Sequence, residues 1–388
     1  MKIAVLGGGV GGLSVAILLK QQGFEVELYE RHNQLAEIGA GIVCWPNASF
    51  VLEQLGVLEL VAEVSGKITH MSRFTRDGEP LGSLEIRELN QLMHYDSYAI
   101  LRKDLMAILT KRALALGIAI HYSHQVIEIT GSGVNSQINF SNGKVIAPEL
   151  IIGAEGRMNS IARAYVNGDN APIYQGFINW IGIFESSSEV FTELAVADHW
   201  GVGERFGIVP VSKSKAYWAG GIATKQIEPL HPARYKQELN EVFASWHGII
   251  PDIIEQTPLT KIHKIYVHDH NPIKVWHKNN VVLLGDSAHA PLPTSGQGAC
   301  QALESAWHLV NCLVQHSSNL PDACRHYTEL RAEKTSSIIS VGRQLAQTIF
   351  NQDHEFCQQR NLASKHTDYH SALIGMANAW SSGLPLAV

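Results

Sequence analysis

Residues 1–30 read MKIAVLGGGVGGLSVAILLKQQGFEVELYE, and this stretch decides the fold. Ile3 to Leu6 is a short apolar run of the kind that forms a buried parallel strand. It passes directly into Gly7-Gly8-Gly9-Val10-Gly11-Gly12, a G-x-G-x-x-G turn. Leu13 to Lys20 continues with helix-forming apolar residues, Gly23 supplies a helix stop, and Glu25 to Glu30 reads as a second strand. In such a unit Gly7 permits the tight turn, Gly9 lets the backbone approach a pyrophosphate, and Gly12 lets the helix pack closely on the strand. The helix N-terminus then faces an anion. Glu30 stands 18 residues after Gly12, where a carboxylate accepts hydrogen bonds from a ribose. The pattern predicts a bound dinucleotide with an unphosphorylated adenosine ribose, as in FAD or NAD.

Around this unit the composition is that of a folded chain. With 388 residues, 45% apolar and 17% charged, the sequence has room for one large two-lobed domain or two to three ordinary ones. A net charge of −6 and the lack of any basic run argue against nucleic-acid binding. The N-terminus resembles a signal peptide only superficially, because five glycines interrupt its apolar run. No stretch of 18 consecutive apolar residues suggests a membrane span, so a cytoplasmic location is expected. Cys44, Cys300, Cys312, Cys324 and Cys357 are scattered without a C-x-x-C pair, which fits neither a disulfide framework nor a zinc site. His263, His268, His270 and His277 cluster without ligand spacing, and no metal is expected.

Two further segments return to the nucleotide sheet. Asn142-Gly143 between alternating runs is a hairpin signal, and Leu150 to Gly153 is a buried strand leading into Ala154-Glu155-Gly156 and on to Arg163. Val281 to Leu284 is another, running into Gly285-Asp286-Ser287-Ala288-His289 and then Pro293-Thr294-Ser295-Gly296-Gln297-Gly298. A helix starts there, its apolar positions Ala299, Ala302, Leu303, Ala306, Leu309, Val310 and Leu313 keeping the helical period. Its first backbone N–H groups are free to meet an acceptor.

Together, G-x-G-x-x-G near the start, GAEGxxSxxR in the middle and GDSAHxxxPxxGQG late resemble the three motifs of the group A FAD-dependent monooxygenases, the aromatic hydroxylase family, over almost the whole chain. The resemblance implies an α/β fold with a Rossmann-type (GR2-like) FAD-binding domain. It also implies FAD reduced by NAD(P)H, O2 captured as a flavin C4a-hydroperoxide, and hydroxylation of an aromatic or heteroaromatic small molecule. By the same resemblance Asp286 contacts the ribityl chain, Pro293 lies beside the reacting ring, and Gly296, Gln297, Gly298 and Ala299 face the flavin pyrimidine. A helix N-terminus there would stabilise the anionic reduced flavin. Gly7, Gly9, Val10, Gly12, Glu30, Arg31, Gly41 and Val126 are further expected cofactor contacts. Arg102 precedes a helix and is either a family arginine near the FAD phosphates or a solvated charge at a helix start. Glu155 departs from the Asp usual in the middle motif. Its longer side chain is expected to push the carboxylate outward by about 1.5 Å, which touches the NAD(P)H-linked role of that motif.

Residues 177 to 275 change to alternating segments, which read as an antiparallel sheet. Segments 205–211 and 215–223, joined by Ser212-Lys213-Ser214, put Arg205 and Tyr217 on one sheet face if they pair in an even register. The two match in spacing the substrate-contacting arginine and tyrosine of the FAD-dependent urate hydroxylases of this family, so Arg205, Tyr217 and Pro293 are the catalytic candidates. The structural alternative is an edge charge and a sheet-covering ring. His199 is a second candidate base. The expected division is a discontinuous FAD domain (1–70, 100–175, 277–320), a substrate domain (71–99, 176–276) and C-terminal helices (321–388) that cover the flavin domain or form a homodimer contact. Two other readings remain at this point: oxidation of a larger apolar substrate such as a polyprenyl quinone precursor or carotenoid, and a non-catalytic flavin-binding redox sensor motivated by Glu155.

Overall fold

The glycine turn sits at the centre of a parallel sheet. In a computed structural model that describes residues 1–34, 40–131, 136–168 and 171–386, β1 (Lys2–Leu6), α1 (Val10–Gln21) and β2 (Glu25–Tyr29) form the expected unit. β1 is flanked by β2 on one side and by strand Leu150–Gly153 on the other, with Val281–Leu283 next to that. All of these pairings are parallel, so the three glycine-containing motifs leave the sheet side by side at its carboxyl end, where open α/β sheets bind ligands. Gly12 shows why the turn is built from glycine: a Cβ there would stand 1.9 Å from the Gly7 carbonyl oxygen.

A second sheet faces this domain. Its order is His263–Asp269, Ile173–Glu185, Lys215–Ala223, Glu204–Ser212, Val196–Trp200, Met71–Thr75 and Pro80–Leu84. The expected antiparallel pairing holds except at one joint, where Met71–Thr75 pairs parallel with Val196–Trp200. Alternation sorts the two faces. Ile178, Trp180, Phe184, Phe206, Ile208 and Trp218 bury themselves under helices Tyr235–Phe243 and Ile250–Gln256. On the opposite face Ile183, Val196, Val209, Val211 and Tyr217 pack toward the nucleotide domain.

The C-terminal part closes the assembly. Asn319 caps the long helix Leu320–Ile349 by accepting a hydrogen bond from the Asp322 N–H, and Pro321 occupies its first turn. Thr294 donates to the Gly342 carbonyl at 2.7 Å, so this helix braces the late motif. Helices His354–Lys365 and Tyr369–Ser381, capped by Asp353 and Asp368, run on to the outer strand Pro80–Leu84, where Tyr369 donates to the Leu81 carbonyl. The tail thus holds the second sheet to the nucleotide domain as well as covering it. Among the described residues no helix is long and apolar enough to cross a membrane.

Overpacking the closed glycine turn is expected to cost about 1–3 kcal/mol. Gly12→Val should therefore lower the thermal unfolding midpoint by several degrees; an unchanged midpoint contradicts the close approach of α1 to β1.

Candidate active site

Where the three motifs emerge lies a cavity of about 360 Å³, lined among others by Gly7, Gly8, Gly9, Glu30, Arg31, Arg102, Val126 and Glu155. A Cβ at Gly9 would meet nothing within 4 Å, so the turn opens onto free space at the start of α1. Glu30 is buried and already oriented: its Oε2 accepts from the Gly8 N–H at 2.7 Å and its Oε1 from the His32 N–H at 2.9 Å. Arg102 begins helix Arg102–Ala115 and lines the cavity. Burial lowers its guanidinium, opposed by the nearby carboxylates of Asp286 and Glu30. The alternative of a solvated charge at a helix start falls. Val10 and Gly12 serve the packing of α1, while Gly41 lies against the Tyr217 ring, 1.7 Å from where its own Cβ would be. The space and donors suit the adenosine and pyrophosphate half of a dinucleotide.

Glu155 overturns the expectation of an outward carboxylate. It folds back onto the start of helix Ile161–Asn167, accepting from Ser160 Oγ at 2.9 Å, the Ile161 N–H at 3.2 Å and the Ala162 N–H at 2.9 Å. Burial raises its carboxyl, and these three donors work against the rise. The longer acid is a helix cap, so the motive for a redox-sensor reading disappears. The same segment is welded to the late motif. Arg157 donates to Asp286 Oδ2 at 2.7 Å, the Gly156 N–H donates to Ser287 Oγ, and Arg163 donates to the carbonyls of Ser287 and Ala288. Asp286, expected at the ribityl chain, is thereby held in place before any ligand arrives.

The turn from Pro293 to Ala299 has an exposed outer side at Pro293 and Gly296 and a buried inner one. Gln297 points inward: its Oε1 accepts from Asn47 at 2.9 Å and Gln301 at 3.0 Å, so only its backbone can face a ligand. Behind the turn lies an ion network that the apolar period of helix Gly298–Gln315 conceals. Glu304 and Arg331, both with no exposed side-chain surface, are 2.7 Å apart, and Lys334 reaches the same carboxylate at 2.9 Å. Asn47 and Gln301 donate to the other oxygen. Burial alone would raise the Glu304 carboxyl, but Arg331 and Lys334 outweigh it and keep it below its ordinary value. A signal for the network was present in the stripe Gln297, Gln301, Glu304, Ser305 and His308, spaced as one face of a helix.

On the second sheet Arg205 pairs with Gly221 and Val209 with Tyr217, an even register that puts Arg205 and Tyr217 on one face, the one turned to the nucleotide domain. Arg205 is no edge charge: its Nε donates to Asp198 Oδ1 at 2.6 Å. The Tyr217 hydroxyl has no hydrogen-bond partner among the described residues, and burial pushes the phenol well above its ordinary value. Cys44 and Cys300 lie nearby, which places the ring beside the residue that follows Ala299. A phenol so shifted is a hydrogen-bond donor at neutral pH. His199, the candidate base, lies apart from it. It pairs with Phe206, on the opposite face from Arg205, and stacks on Phe74.

Residues 1–334 match the family described as FAD binding domain. The chain belongs to that family, and FAD is its cofactor. It is 29% identical to the aurachin C monooxygenase/isomerase of Stigmatella aurantiaca over 89% of each chain. It is also 29% identical to the FAD-dependent urate hydroxylase of Mycolicibacterium vanbaalenii, covering 88% of this chain and 87% of that one. With the 6-hydroxynicotinate 3-monooxygenase of Bordetella bronchiseptica the identity is 28%, over 92% and 94%. The fold matches that of Klebsiella pneumoniae HpxO, solved complexed with FAD and uric acid, with a TM-score of 0.90 at 23% identity over 99% and 97% of the two chains. The resemblance carried by the three motifs is borne out.

Glu304→Gln should leave Arg331 and Lys334 uncompensated in the interior and cost about 3–5 kcal/mol of stability. Because the folded Glu304 carboxyl is depressed, its contribution is present at neutral pH and lost as pH falls through its folded value. Denaturant unfolding of wild type and variant checks both statements; a loss under about 1 kcal/mol contradicts the network's role.

Proposed function

We propose that this FAD protein is a single-component monooxygenase that hydroxylates an aromatic or heteroaromatic small molecule with NAD(P)H and O2. The observation that supports it most directly is the meeting of Tyr217 with Gly41 and the start of helix Gly298–Gln315, which brings the Arg205–Tyr217 face against the turn from Pro293 to Ala299. When bound, FAD supplies the redox chemistry, taking hydride from NAD(P)H and activating O2.

The chain's own residues have the following roles in this reading. Glu30 would receive the adenosine ribose, and the first amides of α1 with Arg102 would receive the phosphates. Asp286, steadied by Arg157, would meet the ribityl chain. The backbone N–H groups from Gly296 to Ala299 would face the pyrimidine and favour negative charge there. Pro293 would border the reacting ring. Arg205, fixed by Asp198, would hold an electron-rich oxygen of the substrate, and Tyr217 would donate a hydrogen bond to it. With FAD and substrate in place, the sheet face would limit the access of bulk water to the space between them.

Purified protein should carry or take up FAD, and a panel of aromatic and heteroaromatic compounds should contain members that accelerate NAD(P)H oxidation and emerge hydroxylated. Failure of any panel member to accelerate oxidation by the FAD-loaded protein would sink the proposal. With an active compound, Arg205→Gln and Tyr217→Phe should each lower kcat/KM by about ten- to a hundredfold. Tyr217→Phe should leave the pH limbs of kcat/KM in place between about pH 6 and 9, since the phenol does not titrate there. A limb that vanishes in Tyr217→Phe would show that the phenol ionises in turnover.

A further inference from the structure

The flavin-facing side of the second sheet carries an ordered set of side chains that goes beyond Arg205 and Tyr217. Register places Asn179, Gly221 and Arg205 in one row across three neighbouring strands. The next row is Ile181, Ala219, Gly207 and Asp198. The third is Ile183, Tyr217 and Val209. Gly221, Ala219 and Gly207 therefore make a floor of small residues, with Asn179 on one side, Arg205 and Asp198 on the other, and Tyr217 at the end.

Each wall has a defined chemistry. Asp198, 6% exposed, holds Arg205 by Nε at 2.6 Å and also accepts from Trp200 Nε1 at 2.9 Å. The Arg205 Nη2 nitrogen consequently lies over Gly207, 3.7 Å from where a Cβ would stand. Asn179 is 6% exposed, and its carboxamide has no hydrogen-bond partner among the described residues. Its Oδ1 lies over Gly221, 2.3 Å from the Cβ position, where Phe350 Cζ also stands at 3.0 Å, leaving the Ala219–Gly207 part of the floor as the seat. Its amide oxygen and nitrogen are unpaired within the protein yet not sealed from solvent, so the group is open to a ligand that takes the place of water.

We infer that Asn179 is a specificity-determining residue, and that the substrate is a flat heteroaromatic ring presenting a lactam edge, an N–H beside a C=O, to Asn179 and an electron-rich oxygen to Arg205. A carboxamide offers one donor and one acceptor side by side, which a lactam edge matches and a hydrocarbon ring edge leaves unpaired. A guanidinium held by one edge presents its remaining N–H groups to an acceptor or anion. The inference rests on the monooxygenase reading for the placement of substrate on this face, and it narrows that reading from aromatics in general to ring lactams.

The test uses 6-hydroxynicotinate and 4-hydroxybenzoate, which share ring size and a para carboxylate and differ in the ring N–H beside the oxygen. Each is titrated into FAD-loaded protein and its dissociation constant read from the perturbed flavin spectrum, without turnover. Wild type should bind the lactam member at least about tenfold more tightly. In Asn179→Leu the ratio should fall to near one. Asn179→Ser, smaller and still polar, gives the same readout should the leucine variant not fold. Equal binding of the two compounds by wild type, absent binding of 6-hydroxynicotinate, or an unchanged ratio in the folded variants overturns the inference. Failure of the monooxygenase reading shows separately, as flavin-loaded protein whose NAD(P)H oxidation no aromatic accelerates.

Discussion

The buried pairing of Glu304 with Arg331 is the constraint on which the site depends. A carboxylate and a guanidinium without exposed side-chain surface are tolerable only when they are well paired; here Lys334, Asn47 and Gln301 donate to the carboxylate, and Gln301 and Ser305 accept from the guanidinium. The consequence is geometric. Helix Gly298–Gln315, the long helix Leu320–Ile349 and Asn47 of the N-terminal third are fixed relative to one another. Lys334 also donates to the carbonyls of Trp380 and Ser382, which draws in the end of the last helix. The turn in front of this network, from Pro293 to Ala299, inherits its position from it, as does whatever lies against its amides.

A second layer of pairing fixes the other side of the cleft. Arg157 with Asp286, and Arg163 with the Ser287 and Ala288 carbonyls, join the middle and late motifs at the carboxyl end of the parallel sheet. Asp198 with Arg205 does the same for the facing sheet. Asp286 and Arg205, each expected to serve a ligand, are thus held by an opposite charge within the protein. Preorganisation of this kind reduces the ordering that binding would otherwise require. Tyr217, lying on Gly41, joins the two halves, because any side chain at position 41 would collide with its ring.

What could be read from the sequence was what depends on near neighbours. The strand–turn–helix from Ile3 through the Gly7 to Gly12 turn and the Asn142-Gly143 hairpin are set by residues within a few positions, and each stands as expected. The shared face of Arg205 and Tyr217 followed from strand parity across a short connection. Long-range pairs were hidden: nothing near Glu304 announces Arg331, and nothing near Arg157 announces Asp286. The place of Glu155 is not legible from side-chain length alone, because the Ser160 hydroxyl and the helix start draw its carboxylate back. The face that His199 occupies depends on its pairing with Phe206, which sequence alone does not fix.

The chemistry of this FAD-dependent protein is insertion of an oxygen atom into an aromatic ring. The most direct measurement is turnover of an active compound under 18O2 with mass analysis of the product. One labelled oxygen per product molecule is expected, with NAD(P)H consumed in step. A product that carries no label, or NAD(P)H consumption that yields only hydrogen peroxide, would contradict it.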